Sequence, residues 1–261
     1  MRFDDKVVII TGGALGIGRA TAEILAERGA SVAILDWDEA AGTEVRTTIE
    51  QNGGEALFQP VDVSKRDEVQ TAIETVHTAF GRVDSLVVSA GIQRYGTAVT
   101  TDDEQWDDVL NVNLRGAWNA AKSVIPFIKK SGGGTIVNVS SVQALASQQN
   151  VLAYTVSKHG LLGLTRSMAM DFAKENIRVN AVCPGTVDTP MLKWAASLDA
   201  DPKSVYDVCN AMHPLGRIAQ PREIAEVIAF LAHESSSFVT GAFWTVDGGL
   251  LTQIGGVPRM D

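Results

Sequence analysis

The chain alternates short apolar runs with longer stretches of helical periodicity. Val7-Val8-Ile9-Ile10, entered from Lys6, is apolar throughout and ends in glycines, which predicts a buried strand over 6–10. Over 18–28 the apolar residues recur at helical spacing, with Ala22, Leu25 and Ala26 on one face and Gly29 as the stop. The unit then repeats. Strands are predicted over 31–35 and 56–63, and helices over 39–51 and 66–80, broken by Asn52-Gly53-Gly54 and Gly81. Further on, strands are predicted over 85–88, 135–139, 178–183 and 243–246, and helices over 102–130, 154–176 and 221–233. Pro126 is expected to bend the longest helix.

Strands that are apolar on both faces, separated by helices, imply a parallel sheet covered on both sides. Right-handed crossovers then give a doubly wound α/β sheet of Rossmann type with about seven strands. No linker, repeat or low-complexity segment divides 1–261, so one domain is expected. The least regular stretch, 186–215, falls where such a sheet receives its ligand and is expected to act as a lid. Residues 250–261 form a tail.

Composition narrows the partners. With 45% hydrophobic and 20% charged residues in 261, the chain has the usage of a folded soluble protein. Its two cysteines, Cys183 and Cys209, make no disulfide framework and suit a reducing compartment. A net charge of −9 repels phosphate backbones, so nucleic acid is not expected as a partner. No apolar run reaches the roughly 18 residues of a membrane span. Met1-Arg2-Phe3-Asp4-Asp5 is too polar for a signal peptide, and a cytoplasmic location is expected. His77, His159, His213 and His233 show no metal-ligand spacing, so no metal is expected.

Thr11-Gly12-Gly13-Ala14-Leu15-Gly16-Ile17-Gly18 joins the first strand to the first helix. Glycines there allow a tight turn and let backbone approach a pyrophosphate at the helix N-terminus. A P-loop is excluded, because Arg19-Ala20 stands where Lys-Ser/Thr must hold phosphate and magnesium. Asp36 ends the second strand, 18 residues after Gly18. A carboxylate there accepts hydrogen bonds from the adenosine ribose and repels a 2′-phosphate. Neither Leu15 nor Trp37 offers a cation for that phosphate, which favours NAD over NADP. Tyr154 and Lys158 lie four apart on a predicted helix and share a face. An ammonium beside a phenol favours the phenolate and makes it a better base.

With these residues in place, the chain resembles the short-chain dehydrogenase/reductase family over about residues 5–249. Thr11-Gly12-x-x-x-Gly16-x-Gly18, with Ile17, is similar to the family's cofactor turn. Asp62-Val63 resembles its adenine contact, and Asn111-Val112-Asn113 the segment carrying its catalytic Asn, placed at Asn113. Ser141 precedes Tyr154 by 13 residues, and Tyr154-Thr155-Val156-Ser157-Lys158 is similar to the family's active-site helix. Pro184-Gly185-Thr186-Val187-Asp188-Thr189 resembles its nicotinamide-side loop. One departure stands out: Ser89-Ala90-Gly91 replaces the usual Asn-Ala-Gly, which touches cofactor affinity rather than the chemistry.

The resemblance implies roles. Tyr154 would be the general base in oxidation and the acid in reduction, and Lys158 would lower its pKa and hold the nicotinamide ribose. Ser141 would hydrogen-bond the reacting oxygen, and Asn113 would keep a water that links Lys158 to solvent. Val187 and Thr189 would hold the carboxamide.

Around the reacting oxygen, Gln93, Arg94, Tyr95, Gln143, Gln148, Gln149 and Asn150 offer polar contacts, with Leu145, Met191 and Trp194 as apolar ones. Amides and an arginine point to a sugar, polyol or sugar acid; solvent-facing amides are the rival. His213 falls in the lid, where packing leads over substrate contact. Gly116, Ala117, Ala120 and Ala121, with Ser157, Gly160 and Gly163, are expected to form a helix-pairing face of a homotetramer, and the tail to reach a neighbouring subunit. Two other functions compete. A 3-ketoacyl-type reductase would use NADPH and dock an acidic carrier, for instance at Lys122, Lys129 and Lys130. A non-catalytic dinucleotide sensor would have no need of Tyr154, Lys158 and Ser141.

Overall fold

A computed structural model describes residues 1–252. Seven strands form one parallel sheet: β1 (Val7–Thr11), β2 (Ser31–Asp36), β3 (Glu55–Pro60), β4 (Ser85–Val88), β5 (Gly134–Val139), β6 (Ile177–Pro184) and β7 (Phe243–Val246). Their order is β3-β2-β1-β4-β5-β6-β7. The helices are α1 (Gly16–Glu27), α2 (Glu39–Gln51), α3 (Arg66–Phe80), α4 (Asp103–Leu110), α5 (Gly116–Lys130), α6 (Leu152–Phe172), α7 (Pro190–Ser197), α8 (Pro202–Met212) and α9 (Pro221–Ala232). The strand order reverses between β1 and β4, so a crevice opens beyond Thr11 and Val88.

The all-apolar strands are explained by two separate cores. In β1, Val7 and Ile9 pack under α3, α5 and α6, while Val8 and Ile10 pack under α1, α2 and α9. Side chains that alternate across a sheet need an apolar partner on each face. This is the doubly wound sheet the hydrophobic pattern predicts.

Four local expectations are corrected. The long helix expected over 102–130 runs unbroken through Pro126 but is interrupted at Asn111–Arg115, which forms a wider π-helical turn. The 186–215 stretch is not irregular: it holds α7 and α8, each with proline at its start. Thr189 and Asp201 cap these helices by accepting from the amides of Leu192 and of Lys203 and Ser204. The strand expected over 56–63 stops at Pro60, where Ser64 turns back onto Asp62 Oδ1.

The fourth correction concerns the small residues expected to pair helices between subunits. Ala117, Ala120 and Ala121 lie in the core, and a Cβ on Gly116 would meet Val63 Cγ2 at 2.8 Å. Ser157 is fully buried, and a Cβ on Gly160 would press on Leu114 at 2.9 Å. These residues let helices approach within one chain; only Gly163 faces open space. The expected tail lies beyond the described residues from 253 on.

Candidate active site

The crevice is a cavity of about 830 Å³ that extends from Asp36 at one end to Tyr154 and helices α7 and α8 at the other. The glycines of the first turn serve different contacts. Gly12, at φ +66°, would place a Cβ 2.5 Å from Ala90 N, so only glycine lets the chain after β4 come this close. Gly18 packs α1 directly against the Gly12 carbonyl, behind the cavity wall. Gly16, at φ +53°, sits under the Thr189 side chain. Thr11 is fully buried and braces the turn, its Oγ1 accepting from Ala90 N at 3.5 Å. No side chain caps the first turn of α1. Its amides are therefore available to an anion, and the bare glycine backbone leaves room for a pyrophosphate.

Asp36 closes the other side of this end. Oδ2 accepts from Ala14 N at 3.0 Å and Oδ1 from Asp38 N at 3.1 Å. Each oxygen keeps a further lone pair for a ribose hydroxyl. Trp37, 74% exposed, flanks it at the rim, with Asp62 and Val63 opposite. Asp62 is turned inward onto Ser64, whose hydroxyl donates to Oδ1 at 2.7 Å. The cationic residues that line the cavity are Arg94 and Lys158, both at its far end.

Ser141, Tyr154 and Lys158 meet there because β5 and α6 are pinned together. Lys158 Nζ donates to Val139 O at 2.9 Å, and Ser140 Oγ donates to the main-chain oxygen of Lys158 at 3.1 Å. The ammonium lies 5.4 Å from the centroid of the Tyr154 ring. Burial pushes the Tyr154 phenol up to about 12, against a partial pull downward from its hydrogen bond with Ser141. Burial pushes Lys158 down to about 8, opposed by Cys183. At Tyr154 desolvation is the larger cause, and Ser141 pulls the other way.

Asn113 stands behind the wall rather than on it, fully buried. Its Oδ1 accepts from Ile92 N at 2.8 Å, and its Nδ2 donates to Ile92 O at 2.9 Å and to Ser157 Oγ at 3.0 Å. Ser157 Oγ in turn donates to Tyr154 O at 2.7 Å. The side chain therefore ties the loop after β4 to the first turn of α6, and the π-helical turn is where α4 and α5 accommodate it. Ser89, Ala90, Gly91, Pro184, Gly185, Val187 and Thr189 all line the cavity.

The substrate candidates divide. Gln93, Arg94, Gln143, Gln148 and Met191 line the cavity; Trp194 does not, and instead stacks on Tyr95 with ring centroids 5.8 Å apart. Gln143 is already engaged, accepting from Thr155 Oγ1 and donating to Gln148 Oε1. Arg94 leans toward Asp108 at 3.8 Å. Sequence reasoning missed Ile92, whose main chain serves Asn113, and Leu250 and Leu251, which line the cavity from beyond β7. No periodicity marks any of the three. His159 is exposed, its Nδ1 bonding Thr155 O, so it neither packs in the core nor tunes Lys158. No cluster of His, Cys, Asp or Glu among the described residues could hold a metal, and no helix among them is long and apolar enough to cross a membrane.

A glycine turn, a strand-end carboxylate and a buried Ser-Tyr-Lys set thus lie around one cavity. The chain belongs to the short-chain dehydrogenase/reductase family. The family described as enoyl-(acyl carrier protein) reductase matches residues 12–251. The chain is 41% identical over 248 residues to cis-4-hydroxycyclohexanecarboxylate dehydrogenase of Sinomonas cyclohexanicum, covering 95% of this chain and 97% of that protein. It is 39% identical over 251 residues to 3-oxoacyl-[acyl-carrier-protein] reductase of Thermotoga maritima, covering 96% and 100%. The ligand-free aldohexose dehydrogenase of Thermoplasma acidophilum superposes with a TM-score of 0.89 at 36% identity, over 98% of each chain.

Proposed function

We propose that this protein is an NAD-dependent alcohol dehydrogenase that interconverts a secondary alcohol and a ketone. The observation that carries the reading is the single cavity joining Asp36 at one end to Ser141, Tyr154 and Lys158 at the other. When bound, NAD supplies the hydride chemistry at its nicotinamide. Thr11, Gly12, Gly16, Ile17 and Gly18 form its pyrophosphate turn, Asp36 and Trp37 the ribose end, and Asp62 and Val63 the adenine wall. Val187 and Thr189 take the carboxamide.

Tyr154 receives the alcohol proton during oxidation and returns it during reduction. Ser141 holds the reacting oxygen. Lys158 supplies the positive charge that supports the phenolate. Asn113 acts through Ile92 and Ser157 to set the geometry. Gln93, Arg94 and Met191 border a substrate of the sugar, polyol or sugar-acid class; the aldohexose and hydroxycyclohexanecarboxylate activities of the two similar proteins accord with a hydroxylated or carboxylated ring. A homotetramer in the cytoplasm fits the reading, with exposed Trp118 on α5 and Val156 and Met170 on α6 as apolar outer positions.

The ketoacyl-reductase reading draws on the Thermotoga relative and requires NADPH. The carboxylate at Asp36 opposes a 2′-phosphate, and Lys129, a residue suited to an acidic carrier, is paired with Glu175 at 2.9 Å. The test is reduced-cofactor formation from NAD and, separately, NADP with a panel of sugars, sugar acids, polyols and cyclic alcohols. Turnover with NAD and a polyhydroxy compound is expected. Turnover with NADP alone overturns the role of Asp36, and dinucleotide binding with no turnover across the panel favours a sensor.

A further inference from the structure

Thr186 follows Pro184-Gly185 in the loop 185–189 that walls one side of the cavity. Its amide is held by a histidine outside the catalytic set. His213 Nε2 lies 3.1 Å from Thr186 N, and His213 Nδ1 lies 2.7 Å from the carbonyl oxygen of Cys209, one turn back in α8. A carbonyl only accepts, so Nδ1 carries the hydrogen; an amide N–H only donates, so Nε2 is bare. The two partners thus select a neutral ring in one tautomer. The ring is 3% exposed.

The packing around it is close. A Cβ on Gly185 would lie 2.6 Å from His213 Nε2 and 3.0 Å from Asp247 Cα, so glycine before Thr186 is what admits the imidazole. On its far side the same loop is tied to 219: Ala219 N donates to Thr186 O and Asp188 N to Ala219 O, each at 2.9 Å. Without His213, the loop would keep that attachment and, toward α8, only the contact of Thr186 with the Cys209 thiol.

We propose that His213 is a positioning residue, a neutral and tautomer-locked clamp that fastens the 185–189 loop to lid helix α8 and thereby sets the affinity of the nicotinamide end for dinucleotide. This rests on the reading of that loop as the nicotinamide-side wall. Asp247 has both oxygens engaged by the amides of Gly249 and Leu251, each at 3.0 Å.

The test is fluorescence titration of NADH with the wild type, H213Q and H213F, alongside their melting temperatures. H213F is expected to bind about tenfold more weakly than the wild type. H213Q, whose amide oxygen restores an acceptor, is expected to fall between them. Hydrogen exchange at the Thr186 amide should speed up in H213F. Equal NADH affinity and equal Thr186 exchange in the folded variants overturn the clamp alone. A wild type that binds no NADH overturns the clamp together with the dinucleotide reading. If H213F does not fold, H213Q decides, because NADH affinity and Thr186 exchange equal to those of the wild type remove His213 as the clamp.

Discussion

At the Asp36 end of the cavity the contacts sit on strand ends and on the turn that leaves β1; at the Tyr154 end they sit on loops and helices. The carboxylate of Asp36 is held by Ala14 and Asp38, and the glycine turn lies between the first strand and the first helix. The Tyr154 end is assembled from loops and helices. Asn113 reaches Ile92 across 21 residues and Ser157 across 44, Gly96 pairs with Val151, and Tyr95 stacks on Trp194 of α7. One end is therefore set by a strand edge and its turn. The other depends on loops whose positions are set by each other, and this is where substrate preference can change without disturbing the sheet.

The sharpest way to separate the two ends is Tyr154→Phe. Turnover should fall by about a thousandfold while NADH affinity changes little, measured by steady-state rates and by fluorescence titration. A comparable loss of NADH binding would merge the two ends into one unit. Asp36→Ala addresses the opposite end. It should lower kcat/KM for NAD by about tenfold or more and narrow the preference over NADP, leaving kcat at saturating NAD close to the wild-type value. Unchanged cofactor preference would remove Asp36 as the discriminator.

Asn113→Ala leaves the buried amide and carbonyl of Ile92 without their partner. Roughly 1–3 kcal/mol of stability should be lost in urea denaturation, along with alignment of Tyr154 and hence kcat. The pH profile should differ by direction of reaction. Tyr154 keeps its proton up to about 12 and Lys158 loses its charge through about 8. Ketone reduction should therefore be supported at neutral pH and fall as pH rises past about 8, whereas alcohol oxidation, which needs the phenolate, should rise on the alkaline side. Parallel profiles for both directions would break the assignment. The smallest effect belongs to Trp194→Ala, which removes the stacking on Tyr95. About 1 kcal/mol is at stake, and substrate KM should shift with no change in NADH affinity.

Much of the cofactor half was legible in the chain. Gly12 and Gly18 stand where backbone must approach backbone, and Gly16 takes a left-handed φ of +53° under the Thr189 side chain. The strand ends, Asp36 and the four-residue spacing of Tyr154 and Lys158 follow from periods of two and 3.6 that are local properties. Reading failed where a residue's surroundings come from far along the chain. The small residues of α5 and α6 look the same whether they face a second subunit or the sheet beneath them, and the core under Ala117, Ala120 and Ala121 decided it. Trp194 has the composition of a pocket residue, yet its partner is Tyr95. His213 carries no local signal, because both of its partners are main-chain groups.

The sequence by itself determined the alternation of strands and helices, the two-faced apolar sheet and the order in which the cofactor turn, Ser141, Tyr154 and Lys158 occur, because each rests on covalent spacing and side-chain polarity. Only the tertiary structure decided the π-helical turn at Asn111–Arg115, the raised Tyr154 phenol, the inward use of the Asn113 side chain and the His213 clamp. Hydrogen bonds to main-chain groups and the loss of water around buried side chains depend on which segments meet, and that is settled when the chain packs.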